Sequence, residues 1–386
     1  MLLPMAEVVR APGLNELRGR KSAKWRFFPS DVLPLPVAEM DFPIAEPVKQ
    51  ALRDMIDRSD TGYLGPMPEL FEAFSKFADT RWGWKVDLTH IRTATDAGVA
   101  AVEVIRTLLK PGEKLMVNSP VYENFWTWPK EVGATLVDVP LKQEGENYWL
   151  DLDGIEREYK TGVKVHLLCH PHNPVGVIFA KEVLTSLASL AKKYGVVIIS
   201  DEIHAPLVYK GREFHPFMAV SDDAREVCVA ISGSGKAFNL AGLKCALIIT
   251  GTEELKQRIN SMPESVGYRA SIFGAVATTA GFAQSIDWLD GVITTLEENK
   301  VLMRNLIDSK IPSIAYREPD FSYLAWLDLS ALNLGDDPAK HLLERGKVAF
   351  KGGYMYGPNH KQYIRFNFGT SPEIITEAFD RILKSL

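Results

Sequence analysis

The sequence predicts an α/β protein with a large domain, built on a mostly parallel β-sheet covered by helices, and a smaller α+β domain. At 386 residues the chain exceeds the size at which one hydrophobic core stops growing, so we expect two packed domains. Between residues 115 and 249, short and almost wholly apolar runs alternate with segments of helical spacing, which indicates a parallel sheet buried on both faces. After Thr250, long helical segments precede strands with partial alternation, which favours a separate α+β unit.

The chain begins with an irregular segment, because three prolines between residues 29 and 36 interrupt regular structure. Helices are predicted over residues 46–57 and 68–82, and the loop between them holds Tyr63 between two glycines. A further amphipathic helix opens at residues 95–99. The strands predicted for the large sheet are residues 115–118, 135–139, 163–169, 196–200, 227–231 and 245–249. In the C-terminal part, helices are expected over 270–286, 288–307, 338–345 and 372–386, and strands over 321–329, 347–350 and 363–368.

Composition excludes several classes of protein. A formal net charge of -5 gives no electrostatic reason to expect nucleic acid or an anionic membrane as partner. The three cysteines (Cys169, Cys228 and Cys245) lie in apolar runs, which argues against a disulfide framework and favours a reducing cytoplasm. Residues 1–10 lack the pattern of a signal peptide, and no apolar run is long enough to cross a membrane. We therefore expect a cytoplasmic protein.

Three chemically useful side chains follow the ends of apolar strands. Asn173, Asp201 and Lys236 each come just after such a strand, and ligands of parallel sheets bind at the carboxyl ends of the strands. A lysine held there can lose solvation, lower its pKa and become a nucleophile towards a carbonyl. Taken alone, Lys236 could equally be a surface lysine in a Gly/Ser loop.

The helix that opens at Thr95 is a candidate anion site. Gly98 in its first turn lets a ligand approach bare backbone N–H groups, and the helix dipole favours an anion there. A plain helix cap by Thr95 or Asp96 explains the same residues.

Together these residues could support a lysine that bonds to an aldehyde cofactor. Asp201 can keep a ring nitrogen protonated, and Asn173 can bind a phenolic oxygen. The helix start at Gly98 and Val99 could cradle a phosphate, with hydroxyl groups near Lys236 and the charge of Lys244. Tyr122 could stack on the ring.

At this point the chain resembles the fold-type-I pyridoxal-phosphate enzymes, and among them the MalY/PatB-like cystathionine β-lyases (C–S lyases) of the class I/II aminotransferase family. The motifs that carry the resemblance, in order along nearly the whole chain, are VAEMDFP at 37–43, Tyr63, HPHNPVG at 170–176, SDEIH at 200–204 and KAFNLAGLK at 236–244. The resemblance implies an aspartate aminotransferase-like fold with a seven-stranded type of sheet. It also implies an N-terminal segment (1–45) packed with the small domain, a large cofactor domain (46–280) and a small domain (281–386).

The resemblance implies pyridoxal 5'-phosphate as cofactor and Lys236 as the Schiff-base lysine. Around the cofactor it places Tyr63, Gly98, Val99, Tyr122, Asn173, Asp201, His204, Ser234 and Lys244. Tyr63 would reach the phosphate in the neighbouring subunit of a homodimer. Arg365 would bind the substrate α-carboxylate, for which a guanidinium fork is suited; alone, it could instead pair with an acid at the domain interface.

The chain departs from the family at several positions near this site. Gly233 and Gly235 stand where hydroxyl residues are usual, with Ser232 and Ser234 displaced by one. Three further departures are Lys244 where many relatives have arginine, Val177 where a basic residue is common, and Glu39 in place of aspartate. These departures leave the cofactor assignment intact. They concern the groups that bind the phosphate and the identity of the substrate.

The resemblance to the β-lyase subgroup predicts α,β-elimination. His204 lies three residues after Asp201, where aminotransferases commonly carry tyrosine. We expect L-cystathionine or a related S-substituted cysteine to yield a thiol such as homocysteine, pyruvate and ammonia, a reaction of methionine biosynthesis. The alternative is an aminotransferase, and a remoter one is a regulatory protein that binds the cofactor.

Two other classes of site are disfavoured. The stretch before Lys236 superficially resembles a P-loop, but Ala230 and Ala237 replace the glycine and hydroxyl residue that this motif needs. His170, His172 and His204 lack zinc-type spacing with a fourth ligand, so no metal is expected.

Overall fold

The computed structural model describes residues 8–386 and begins with a short N-terminal segment. The elements of this segment are α1 (Leu14–Leu17), α2 (Ala23–Arg26) and β1 (Leu33–Pro34). β1 pairs in parallel with a strand near the C-terminus, with Leu33 opposite Val348, so the segment is fastened to the C-terminal part of the chain. Residues 1–7, on which part of the signal-peptide prediction rests, lie outside the described residues.

The central part of the chain alternates helices with strands, as the sequence predicts. Its elements in chain order are α3 (Glu46–Asp57), α4 (Pro68–Trp82), β2 (Ile91–Ala94), α5 (Ala97–Leu108), β3 (Lys114–Val117), α6 (Asn124–Glu131), β4 (Thr135–Asp138), β5 (Lys142–Glu144), β6 (Asn147–Trp149), α7 (Leu152–Tyr159), β7 (Val163–Cys169), α8 (Lys181–Tyr194), β8 (Val197–Asp201), α9 (Asp222–Val227), β9 (Cys228–Ser232), β10 (Ala246–Thr250), α10 (Glu253–Asn260), α11 (Ser265–Tyr268) and α12 (Ile272–Gln284). Most strand boundaries differ from the predicted ones by one residue.

Seven strands form one mostly parallel sheet in the order β2-β10-β9-β8-β7-β3-β4. β10 runs antiparallel to both neighbours, and the other pairs are parallel. Consecutive side chains along a strand pack into two different hydrophobic cores, as Ile198 and Ile199 of β8 show. Because the side chains of a strand alternate between its faces, apolar residues at every position produce a sheet that helices cover on both sides. The predicted fold class is confirmed.

The topology brings the carboxyl ends of six strands to one edge of the sheet. β8 ends at Asp201, β9 ends shortly before Lys236, and β7 ends shortly before Asn173. β2 runs in the same direction as β9, because both are antiparallel to β10, so the start of α5 lies at this edge too.

The C-terminal part forms an α+β unit. Its elements are α13 (Ile286–Lys310), β11 (Ala315–Tyr316), β12 (Leu324–Asp328), α14 (Pro338–Gly346), β13 (Val348–Ala349), β14 (Lys351–Gly352), β15 (Tyr363–Asn367) and α15 (Pro372–Ser385). Four of the strands form an antiparallel sheet in the order β11-β12-β15-β14. The predicted domain boundary after residue 280 would cut α12, which packs on α3 and α4, so the break in the chain lies nearer Ser285.

Gly274 in α12 sets the position of the loop after Lys236. A Cβ atom at Gly274 would lie 2.2 Å from the carbonyl oxygen of Leu243, so only glycine permits this approach. The carbonyl of the next residue, Lys244, accepts a hydrogen bond from the Ser271 N–H at 2.9 Å. α12 therefore holds the loop that carries Lys244 in place.

Among residues 8–386 there is no helix whose length and apolar character would let it span a bilayer.

Candidate active site

A cavity of about 320 Å³ lies at the edge where the strand ends meet. Residues predicted from the sequence line it on all sides: Gly98, Tyr122, Asn173, Asp201, His204, Lys236 and Lys244. Four other predicted residues (Tyr63, Val99, Ser234 and Arg365) are not part of its lining. The cavity also includes side chains that sequence reasoning did not select, among them Trp128 of α6 and Cys169.

Lys236 lies at the cavity wall with its amine turned towards the N-terminal segment. Its Nζ donates a hydrogen bond to the carbonyl oxygen of Ala38 at 2.9 Å, and the Tyr323 hydroxyl donates to the same oxygen at 3.0 Å. Burial, helped by the charge of Arg365, lowers the pKa of Lys236 to about 8, although Asp201 opposes the shift. Near neutral pH this amine is therefore deprotonated far more often than a lysine in water.

Asp201, the last residue of β8, is only 7% exposed. Its Oδ1 accepts a hydrogen bond from the N–H of Ile203 at 3.2 Å. Burial raises the pKa of Asp201 to about 6, against the backbone hydrogen bond and the charge of Lys236. A cationic ring nitrogen beside this carboxyl would return it to the ionised form, because an opposite charge favours ionisation.

Asn173 and Arg365 are joined across the two units of the chain. The Arg365 Nη1 donates to Asn173 Oδ1 at 3.4 Å, which leaves the amide N–H groups of Asn173 free to face the cavity. The backbone oxygen of Asn173 accepts from the Tyr122 N–H at 3.1 Å, so the loops after β3 and β7 are held together.

Arg365 on β15 is 1% exposed and has no carboxylate within ion-pairing distance in residues 8–386. Its Nη2 donates to the Pro36 carbonyl at 2.9 Å, and its Nε has no hydrogen-bond partner in the described chain. The Tyr356 ring lies beneath the guanidinium at 5.3 Å. The domain-interface ion pair considered from the sequence is thus not formed. The charge of Glu123 acts on this guanidinium only from beyond ion-pairing distance. A buried guanidinium with no direct ion pair in the described chain is suited to a carboxylate ligand.

The N-terminus of α5 is capped by the side chain of Asp96. The Asp96 Oδ1 accepts a hydrogen bond from the Val99 N–H at 2.8 Å, and its Oδ2 accepts from the Lys244 Nζ at 2.9 Å. The Val99 N–H, predicted to bind an anion, is therefore already engaged. Gly98 lines the cavity as expected.

Ser234 requires a correction. Its side chain is 1% exposed, and its Oγ hydrogen-bonds Thr278 Oγ1 of α12 at 2.7 Å. The hydroxyl thus faces α12, away from the cavity, which argues against its predicted contact with a phosphate. Gly235, which has no side chain to offer, lines the cavity instead.

His204 and Tyr63 have contrasting surroundings. The His204 Nδ1 lies 3.0 Å from Ser322 Oγ, and burial holds the pKa of this histidine well below its ordinary value, so it is neutral. Tyr63 is 90% exposed and is not part of the cavity lining of its own chain. Its role across a dimer stays a prediction.

The other histidines singled out from the sequence have backbone partners. The His170 Nε2 lies 3.0 Å from the His215 carbonyl oxygen, and the His172 Nε2 lies 2.8 Å from that of Pro120. Between residues 8 and 386 the structure has no group of three or more His, Cys, Asp or Glu placed to hold a metal ion.

Sequence reasoning missed two features of this site. The Ala38 carbonyl beside Lys236 has no side-chain signal that could have marked it. The pairing of Asp96 with Lys244 joins residues 148 positions apart, and only the sheet topology brings them together.

Comparisons with known proteins cover nearly the whole chain. Residues 30–382 match the family model of aminotransferase class I and II. A Mycobacterium tuberculosis protein, provisionally assigned as a cystathionine β-lyase, is 38% identical over 97% of both chains. Cystathionine β-lyase PatB of Bacillus subtilis is 31% identical over 96% of this chain and 98% of its own. A solved structure from Corynebacterium diphtheriae, provisionally assigned as a PLP-dependent β-cystathionase, superposes with a TM-score of 0.92 at 30% identity over 98% of both chains.

Proposed function

Because this chain belongs to the aminotransferase class I and II family, and is a pyridoxal-phosphate enzyme, we propose that it is a carbon–sulfur β-lyase. The family resemblance predicted from the motifs is confirmed. The reaction we propose is α,β-elimination of a thiol from L-cystathionine or a related S-substituted cysteine. Water is consumed, and the products from cystathionine are homocysteine, pyruvate and ammonia.

The residues present fit the cofactor. The cavity offers a lysine of lowered pKa, a buried carboxyl at the neighbouring strand end, and the Asn173 amide N–H groups. We propose that Lys236 bonds covalently to the cofactor, that Asp201 pairs with its ring nitrogen, and that Asn173 and His204 contact the ring and its oxygen. Tyr122 would stack on the ring, while Gly98 and Lys244 would bind the phosphate. The bound cofactor withdraws electrons from the substrate Cα and so permits loss of its proton.

The protein's own groups then bind and deprotonate the substrate. Arg365, which forms no direct ion pair within residues 8–386, binds the α-carboxylate, and this contact orients the amino acid relative to Lys236. The Lys236 amine, once the substrate's amino group has displaced it, has a pKa lowered to about 8 and is suited to accept the Cα proton at neutral pH. Loss of that proton allows the bond between Cβ and sulfur to break, and the thiol departs.

Similarity to proteins named as cystathionine β-lyases over nearly the full length is the observation that carries the lyase proposal. His204 supports it, since tyrosine is usual at this position in aminotransferases. In this chain the His204 ring is fixed by Ser322 and is neutral.

The purified protein should release pyruvate from L-cystathionine without any keto-acid acceptor, because elimination needs no second substrate. A coupled pyruvate assay with simultaneous thiol detection measures this. S-substituted cysteamines, which lack the α-carboxylate, serve as the control and should not react if Arg365 binds that group. Keto-acid formation that depends on an added acceptor, with no thiol release, would instead identify an aminotransferase.

The family name and the shared proton-abstraction step make transamination the second candidate reaction.

We also propose a homodimer in which Tyr63 reaches the partner's site. Tyr63 is 90% exposed and lies outside the cavity of its own chain. Near the proposed phosphate position, Ser234 is turned away and Gly235 has no hydroxyl, so a hydroxyl group from another subunit would complete the site.

Mixing two inactive variants tests this arrangement. Tyr63→Ala and Lys236→Ala subunits, dissociated and reassembled together, should recover about a quarter of wild-type activity, because half of the dimers are mixed and each mixed dimer has one intact site. Each variant reassembled alone is the control. No recovery from a mixture shown to contain mixed dimers would mean that Tyr63 does not act across the interface.

A further inference from the structure

Asp96 occupies the anion-binding groups at the phosphate end of the cavity. One of its carboxylate oxygens accepts from the Val99 N–H of the first helical turn, and the other accepts from the Lys244 ammonium group. A Cβ atom placed on Gly98 would lie 3.3 Å from Asp96 Oδ1, so the carboxylate sits directly over the start of the helix. Asp96 lines the cavity together with Gly98 and Lys244.

These are the same donors that a phosphate would use. A helix N-terminus and a nearby ammonium group attract an anion, and the Asp96 carboxylate lies on both. Few other donors remain at this end, since the Ser234 hydroxyl bonds Thr278 and Gly235 contributes no side chain. A phosphate beside an unmoved Asp96 would meet a like charge at close range.

We propose that Asp96 is an internal competitor for the cofactor phosphate. Its carboxylate holds Val99 and Lys244 until the phosphate takes them, and it must turn away or be neutralised for the cofactor to seat. The competition weakens the grip on the cofactor, so that loading and release depend on this one side chain. The inference concerns cofactor binding and is independent of whether the enzyme is a lyase.

An ordinary helix cap is the competing explanation, and substitution by asparagine separates the two. Asparagine keeps the capping oxygen for Val99 but removes the charge, so a residue that only caps should tolerate the change. Asp151 provides a matched control elsewhere in the chain. It caps α7 by accepting from the Gly154 N–H at 3.1 Å, and it pairs with Lys142 at 2.9 Å.

The test titrates the cofactor-free full-length protein with pyridoxal phosphate and with pyridoxal, using the intrinsic tryptophan fluorescence, to which Trp128 in the cavity wall contributes. Asp96→Asn should lower the dissociation constant for pyridoxal phosphate by about tenfold or more and leave that for pyridoxal unchanged. Asp151→Asn should change neither. Inorganic phosphate should also raise the thermal unfolding midpoint of Asp96→Asn more than that of wild type.

Unchanged or weaker binding of pyridoxal phosphate by Asp96→Asn would overturn the proposal, as would an equal gain for pyridoxal. If Asp96→Asn does not fold, Asp96→Ser repeats the test, because serine caps the helix equally well and carries no charge. Failure of both the wild type and the variant to bind pyridoxal phosphate also overturns it. A normal gain in affinity with no pyruvate release would leave the inference intact and remove only the lyase proposal.

Discussion

Lys236→Ala should eliminate covalent cofactor attachment and slow elimination by at least about 10³-fold, because one amine serves as both the attachment point and the base. The wild-type protein loaded with pyridoxal phosphate should show visible absorption that borohydride abolishes. The variant should lack that absorption and release no pyruvate above background. A wild-type protein that stays colourless with the cofactor would contradict the proposed role of Lys236.

The variant should also remain folded, which separates loss of chemistry from loss of structure. The pKa of Lys236 is lowered in the folded protein, so its charged form is better accommodated in the unfolded chain at pH 7, and removal of the amine should not reduce the free energy of unfolding. Lys24 is the matched contrast, because this fully buried lysine pairs with Asp41 at 2.7 Å. Lys24→Ala removes the close partner of this buried carboxylate, leaves it only Arg20 at 3.9 Å as an ion-pair partner, and should lower the thermal midpoint.

Asp201→Asn should reduce the elimination rate by about 10²- to 10⁴-fold while the protein still binds pyridoxal phosphate. An amide fills the same space but supplies no negative charge to keep the ring nitrogen protonated. Steady-state pyruvate release and cofactor titration of the same preparation measure the two effects separately. Retention of more than about half of the wild-type rate would show that this carboxylate does not support the chemistry.

Glu202→Gln is the control for the loss of a buried carboxyl. Burial raises the pKa of Glu202 to about 8, so it is mostly protonated at pH 7 and an amide resembles its usual state. Its Oε1 accepts from Ser200 Oγ at 2.9 Å and from the Phe217 N–H at 2.8 Å, and it does not line the cavity. We expect activity within about twofold of wild type. An equal loss in both variants would point to disturbed packing.

The sequence predicts the residues at strand ends well, because the position of a residue after a buried strand also fixes where it lies in a parallel sheet. Asn173, Asp201 and Lys236 were located in this way, and all three line the cavity. The direction of a side chain within a loop is a different matter. Ser234 lies two residues before Lys236, yet its hydroxyl faces Thr278 because α12 packs against that loop.

Features that depend on distant parts of the chain were also beyond the sequence. Asp96 could be identified as a possible cap from its neighbours, but its pairing with Lys244 depends on the antiparallel placement of β10 beside β2. The predicted domain boundary after residue 280 falls within α12, because periodicity marks a helix but not the unit against which it packs.

The short stretch of main chain at residues 36–38 has a consequence for how substrates are selected. One of its carbonyl oxygens, that of Pro36, accepts from Arg365, the charged group proposed to meet a substrate. A ligand that binds must therefore replace a backbone carbonyl as the hydrogen-bond acceptor. Its oxygen has to be a stronger acceptor than that neutral carbonyl oxygen. A carboxylate oxygen is such an acceptor, because charge-assisted hydrogen bonds are roughly twice as strong as neutral ones. Neutral analogues would gain little from the same exchange, so we expect the site to discriminate between substrates by charge.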